Sequence, residues 1–225
     1  MVSTVDTAYH PDFGQPVSYR FEAMPEDDDA QVRMTIRRMC GLALEQSSSP
    51  VIQEDAAAAL AQGGGDPIQG VWAAVKPRIR FRQDFDTAQD LQVEHPWKKT
   101  IVETIIEPIA QSMMIRSQGK GVGDCDCFEV YAACLLVALG VPVSFCTVAA
   151  ERGREWAYSH VYLVAYPNGK RIPLDFSHGA YPGWECPNYD RLREWPVGTE
   201  TMMPSMLWPL LLAAAGGYFL LRSAR

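Results

Sequence analysis

Apolar residues recur at three- and four-residue steps early in the chain, then crowd together or alternate later on. Val32, Ile36, Met39, Cys40 and Ala43 define one buried face of a helix predicted over about 25–46. Pro25-Glu-Asp-Asp-Asp supplies its cap and first-turn acids, and Ser47-Ser-Ser-Pro50 ends it. An alanine-rich helix over about 51–62 stops at Gly63-Gly-Gly65, and Asp66-Pro67 caps a third that Pro77 closes. A short strand is predicted over 78–82. Residues 100–115 read as partly helical, interrupted at Pro108, and 117–123 as a flexible glycine-rich approach. Residues 1–24 carry Pro11, Gly14 and Pro16 and read as an irregular arm.

The pattern changes at Asp124. From there to Leu139 the chain is apolar nearly all round, which requires a central, buried helix, and Gly140 sits where such a helix ends. Residues 141–149 then read as a strand. Residues 158–166 and 171–176 read as a hairpin across Pro167-Asn-Gly-Lys170. If Asn168-Gly169 is a two-residue turn, cross-strand partners sum to 337. Asp175 then faces Tyr162, with His160 its diagonal neighbour on the same face. A three-residue loop would shift the register by one and turn Asp175 away.

Met202 to Leu221 holds twenty residues without a charge, a length that just spans a hydrocarbon core. Pro204 and Pro209 leave an unbroken run of only about a dozen residues from Leu210. We expect a membrane segment over 202–221, with a packing tail as the alternative. Arg191 and Arg193 before it balance Arg222 and Arg225 after it, so topology is not set. The predicted organisation is thus an arm (1–24), one domain (25–200) and this tail. Within the domain, 25–115 is helical and 116–187 carries the chemistry.

A net charge of −7 argues against nucleic acid as a partner, because phosphate binding needs a Lys/Arg footprint. The polar N-terminus lacks the basic and apolar regions of a signal peptide. The six cysteines therefore read as reduced thiols rather than a disulfide framework.

Thiol catalysis needs a thiolate, which a helix N-terminus and a nearby imidazole both favour. Cys125 opens the buried helix after a glycine-rich approach, so the same helix end offers N–H groups to an oxyanion. Of four histidines, His160 lies on a strand whose partner carries Asp175. The candidate set is Cys125 as nucleophile, His160 as base and Asp175 as the group that orients the base. It calls for no metal and no cofactor. His178 is an alternative base. Cys127, with Cys186 and His178, is an alternative zinc set, and Cys125 with Cys127 an alternative redox pair.

Gly123-Asp-Cys125-Asp-Cys-Phe, followed fifteen residues after Cys125 by Gly140-Val-Pro, resembles the nucleophile segment of transglutaminase-like cysteine enzymes. Ser159-His160-Val161-Tyr162 and Ile172-Pro-Leu-Asp175 resemble that family's histidine and aspartate segments, in the same order. The likeness spans about 66–187 and is specific over 121–176. It implies an α+β, papain-like fold: a cysteine-bearing helix packed on an antiparallel sheet that carries the histidine and aspartate. It gives the same three roles to Cys125, His160 and Asp175. Cys127 stands where the family carries an acid.

The implied activity is a thiol-dependent acyl hydrolase (a peptidase or amidase) or an acyl transferase. Its substrate would be a protein or a peptide such as that of peptidoglycan. The nearest likeness is to bacterial and phage-borne versions, which implies a phage or prophage origin and a cytoplasmic or virion setting with membrane association through the tail. A catalytically silent scaffold that keeps the fold is the competing expectation.

Overall fold

Local signals set the helices of the computed structural model, which describes residues 4–10, 15–23, 27–84 and 102–198. α1 (Asp28–Gln46) starts where the Asp27 carboxylate accepts from the Ala30 N–H at 2.7 Å. α2 (Pro50–Gln62) is capped by Ser49, and α3 (Pro67–Val75) by Asp66, each with proline at its start. Such caps stabilise a helix by about 1 kcal/mol each. A short strand, β3 (Ile79–Phe81), follows as expected.

Pro108 does not interrupt a helix over 100–115. It opens one, α4 (Pro108–Gln118), immediately after a strand, β4 (Val102–Ile106). Proline at the first helical turn lacks only an N–H that had no intrahelical partner. The approach to Cys125 is likewise ordered. Gly121–Gly123 forms β5, parallel to β3, with all three residues buried.

The N-terminal stretch read as irregular contains β1 (Thr4–His10) and β2 (Gln15–Ala23), antiparallel to each other. β2 pairs in turn with β4, giving the sheet order β1-β2-β4. In sequence, Pro11 and Gly14 fall between these two strands and Pro16 is the second residue of β2. The flanking runs keep a period-2 alternation, as in Val17, Tyr19 and Phe21.

α5 (Cys125–Ala138) is the central helix, and eleven of its residues, from Asp126 to Leu136, are buried. It packs against α1, α2, α3 and one face of a four-stranded antiparallel sheet of order β8-β7-β6-β9. That sheet comprises β6 (Val143–Val148), β7 (His160–Ala165), β8 (Ile172–Leu174) and β9 (Leu192–Pro196). Phe128, Leu135, Phe145, Leu163 and Phe176 share the resulting core, each contributing about 1.5–3 kcal/mol. The architecture is α+β with the cysteine helix packed on an antiparallel sheet, the arrangement expected from the sequence.

The β7–β8 register pairs Leu163 with Leu174 and Ala165 with Ile172, so partners sum to 337. Asn168 (φ 53°) and Gly169 (φ 77°) both take positive φ, which is the demand of a two-residue hairpin turn. Among the described residues no helix is long and apolar enough to cross a membrane, and the 202–221 stretch lies outside them.

Candidate active site

Cys125 is the first residue of α5, and its position is fixed from the side of β5. Gly123 has φ 150°, and a Cβ there would stand 2.3 Å from the Cβ of Cys127 and 2.6 Å from its sulfur. Only glycine lets the chain enter the helix at this point. Asp124 is the N-cap residue but makes no side-chain cap hydrogen bond. The first turn of a helix directs its backbone N–H groups toward the N-terminal end, where an oxyanion would be stabilised.

His160 is the first residue of β7. Alternation puts Val161, Leu163 and Ala165 in the core against α5, and Tyr162 and Val164 in a smaller cluster on the other face. His160 has the parity of the outer face, but it stands at the open end of the strand. It lines a cleft of about 210 Å³ together with Cys125, Tyr158, Asp126 and Met39. On its other side it lines a second pocket of about 340 Å³ with Trp184, Cys186 and Glu151. Ser159 and His160 line both pockets.

The Nε2 atom of His160 lies 2.7 Å from Oδ2 of Asp175, which is fully buried. Oδ1 accepts from the Ser177 hydroxyl at 3.0 Å and from the His178 N–H at 2.7 Å. Burial opposes the Asp175 charge, yet the contact with His160 and the other two donors outweigh it and hold the carboxyl below its ordinary value. An ionised Asp175 fixes the proton on Nε2 and leaves Nδ1 as the acceptor.

Of the three candidate residues, the structure joins His160 to Asp175 directly, and Cys125 and His160 line the same cleft. His178 is exposed and packs edge-on against His160, with ring centroids 4.8 Å apart. Burial, then the neighbouring His160, lowers its pKa. The Nδ1 atom of His178 lies 4.0 Å from Oδ1 of Asp175, farther than the 2.7 Å between Nε2 of His160 and Oδ2.

Cys127 is buried elsewhere. Its sulfur accepts from the Ile106 N–H at 3.4 Å and lies 3.6 Å from the Thr104 carbonyl, joining α5 to β4. Burial, reinforced by Asp124, pushes its thiol well above the ordinary range. A thiol held protonated is a poor nucleophile. Among the described residues Cys127, Cys186 and His178 do not form one group. Two other groups bring ligand atoms within 4.8 Å: His160, Asp175 and His178; and Asp124, Asp126 and Cys127. In the first, the 2.7 Å contact of His160 with Asp175 is closer than two ligands of one tetrahedral zinc, which stand about 3.3 Å apart.

Glu129 went unremarked in the sequence, though it is the one acid in the middle of an otherwise apolar helix. It is fully buried, one turn beyond Cys125, and accepts from the Phe176 N–H at 2.8 Å.

No family model matches this chain, and no curated protein does. Among solved structures it is similar to one described as a "Putative Cysteine Protease" from Cytophaga hutchinsonii, at 14% identity and a TM-score of 0.37. The match covers 72% of this chain and 50% of that one, so the chain spans half of that structure's length. At that identity and TM-score the likeness says nothing of chemistry, which stands on the geometry above.

Proposed function

We propose that the chain is a thiol-dependent acyl hydrolase or acyl transferase of the transglutaminase-like kind, acting on an amide or ester carbonyl through Cys125, His160 and Asp175. The observation that carries this reading is the 2.7 Å contact of His160 with buried Asp175, on an imidazole that lines the same cleft as Cys125.

The Cys125 thiol gives its proton to Nδ1 of His160, and the sulfur attacks the carbonyl carbon. Negative charge moves to the carbonyl oxygen, at the N-terminal end of α5 that Cys125 opens. The C–N or C–O bond breaks, Nδ1–H protonates the leaving group, and a thioester remains on Cys125. Water, or an amine, then gives its proton to Nδ1 and attacks the thioester, releasing the acid or the new amide and restoring the thiol. Asp175 keeps its charge throughout and stabilises the imidazolium.

Two pockets that share Ser159 and His160 suit an extended chain, so we favour a protein or peptide substrate, of which a peptidoglycan peptide is one class. The uncharged 202–221 stretch would bring that site to a membrane.

An activated ester or peptide thioester supplies the test, read by intact mass. The reading expects a single acyl adduct that maps to Cys125, turns over with time and forms far more slowly in His160→Ala. An adduct spread over several cysteines, unaffected by Cys125→Ala, would refute it.

A further inference from the structure

A carboxyl group in the middle of a buried helix needs a reason. Glu129 is the fifth residue of α5, so it lies one helical turn below Cys125 on the same side. Its Oε1 accepts from the Phe176 N–H, the peptide group that directly follows Asp175. Its Oε2 is buried with no hydrogen-bond partner among the described residues. The acid therefore holds this turn through Oε1 at the cost of one orphaned oxygen, which a merely apolar helix would avoid.

The Phe176 contact has a particular place. Asp175 lies just beyond the last paired residue of β8, Leu174, so the sheet ladder does not hold it. Its carboxylate accepts from His178 N–H and Ser177, two donors of the same turn, so these bonds move with it. Glu129 joins this turn to the helix that carries the nucleophile. A continuous path results: Cys125, one turn of α5, Glu129, Phe176, Asp175, His160.

We propose that Glu129 is a positioning residue, setting the Asp175 turn, and through it His160, at a fixed place relative to Cys125. The inference rests on the triad reading above.

Burial, and then the neighbouring Asp175 charge, push the Glu129 carboxyl well above its ordinary value; the Phe176 and Ser177 N–H groups and Lys76 act the other way. Burial thus disfavours a second negative charge beside Asp175, while Oε1 accepts the Phe176 N–H. Glutamine keeps the acceptor without a charge, and methionine has neither the acceptor nor a charge.

The test uses the full chain and two readouts that need no substrate. One is the pH profile of Cys125 alkylation; the other is the NMR signal of the His160 Nε2 proton held by Asp175. Glu129→Gln should keep both, with alkylation rates within about threefold of wild type, whereas Glu129→Met should lose about tenfold or more at neutral pH and broaden or shift the Nε2 proton. Folding is checked by circular dichroism. A folded Glu129→Met with wild-type profile and proton signal overturns the inference, and so does Glu129→Gln with either readout lost, whether or not Glu129→Met folds. Alkylation of wild-type Cys125 that ignores His160→Ala overturns the triad reading itself, and this inference with it.

Discussion

Gly123→Ala is the smallest change that should disturb the site without touching a reacting group. An added Cβ at φ 150° would lie 2.3 Å from the Cβ of Cys127 and 2.6 Å from its sulfur. Cys127 is buried and bonded to the β4 backbone, so it cannot swing aside. Overpacking costs about 1–3 kcal/mol and the disfavoured backbone about 1–3 more, so the variant should lose roughly 2–6 kcal/mol. That is a large share of the roughly 5–15 kcal/mol of a typical domain. Gly119→Ala provides the control. Gly119 has φ 73° with nothing within 4 Å of an added Cβ, so it carries the backbone cost alone. Urea unfolding of both variants isolates the clash, and alkylation of Cys125, two residues from Gly123, reports the displaced helix start. If Gly123→Ala is no more destabilising than Gly119→Ala, the packing of β5 against Cys127 described above is wrong.

Asp175→Asn should lower turnover of an activated ester roughly thousand- to ten-thousand-fold, because an amide N–H facing Nε2 forces the proton onto Nδ1 and removes the base. The Asp175 carboxyl is held below its ordinary value, so its contribution to stability is full above the unfolded pKa of about 3.9 and lost as pH falls through the folded value. Thermal melts across that range should show the loss in wild type and not in Asp175→Asn. Glu129 has the opposite sign: its folded pKa is raised, so stability falls as pH climbs from about 4.3 toward that value, and melts of Glu129→Gln should be flatter there. Cys127→Ala removes the acceptor of the Ile106 N–H and should cost about 1–3 kcal/mol in urea, while Cys125 alkylation persists. Loss of Cys125 reactivity in that variant would restore the redox pair. Full-length chain should partition into vesicles and a chain ending at Glu200 should not; equal partition rules out the tail as anchor.

The site was legible where local chemistry was strong. An all-apolar helix headed by Cys125 could only be central, and Asn168-Gly169 dictated the register that brings Asp175 to His160. Sheet edges were harder to read. β9 carries Arg193 and Glu194 because it pairs on one side only, so its pattern is that of a surface loop. β4 was obscured by the proline that opens the next helix. Glu129 and Cys127 take their meaning from contacts with Phe176 and Ile106, distant in sequence, and no local pattern encodes those. Parity alone would also have turned His160 away from α5. Its place at the strand end, a tertiary feature, gives it the cleft.

The most direct test of the central claim is the rate of Cys125 alkylation as a function of pH, resolved from Cys186 by peptide mass spectrometry. The account predicts a Cys125 thiolate well below the free-thiol pKa of about 8.5, lost in His160→Ala and weakened in Asp175→Asn, while Cys186 behaves alike in all three chains. A Cys125 that titrates as an ordinary thiol with or without His160 would contradict it.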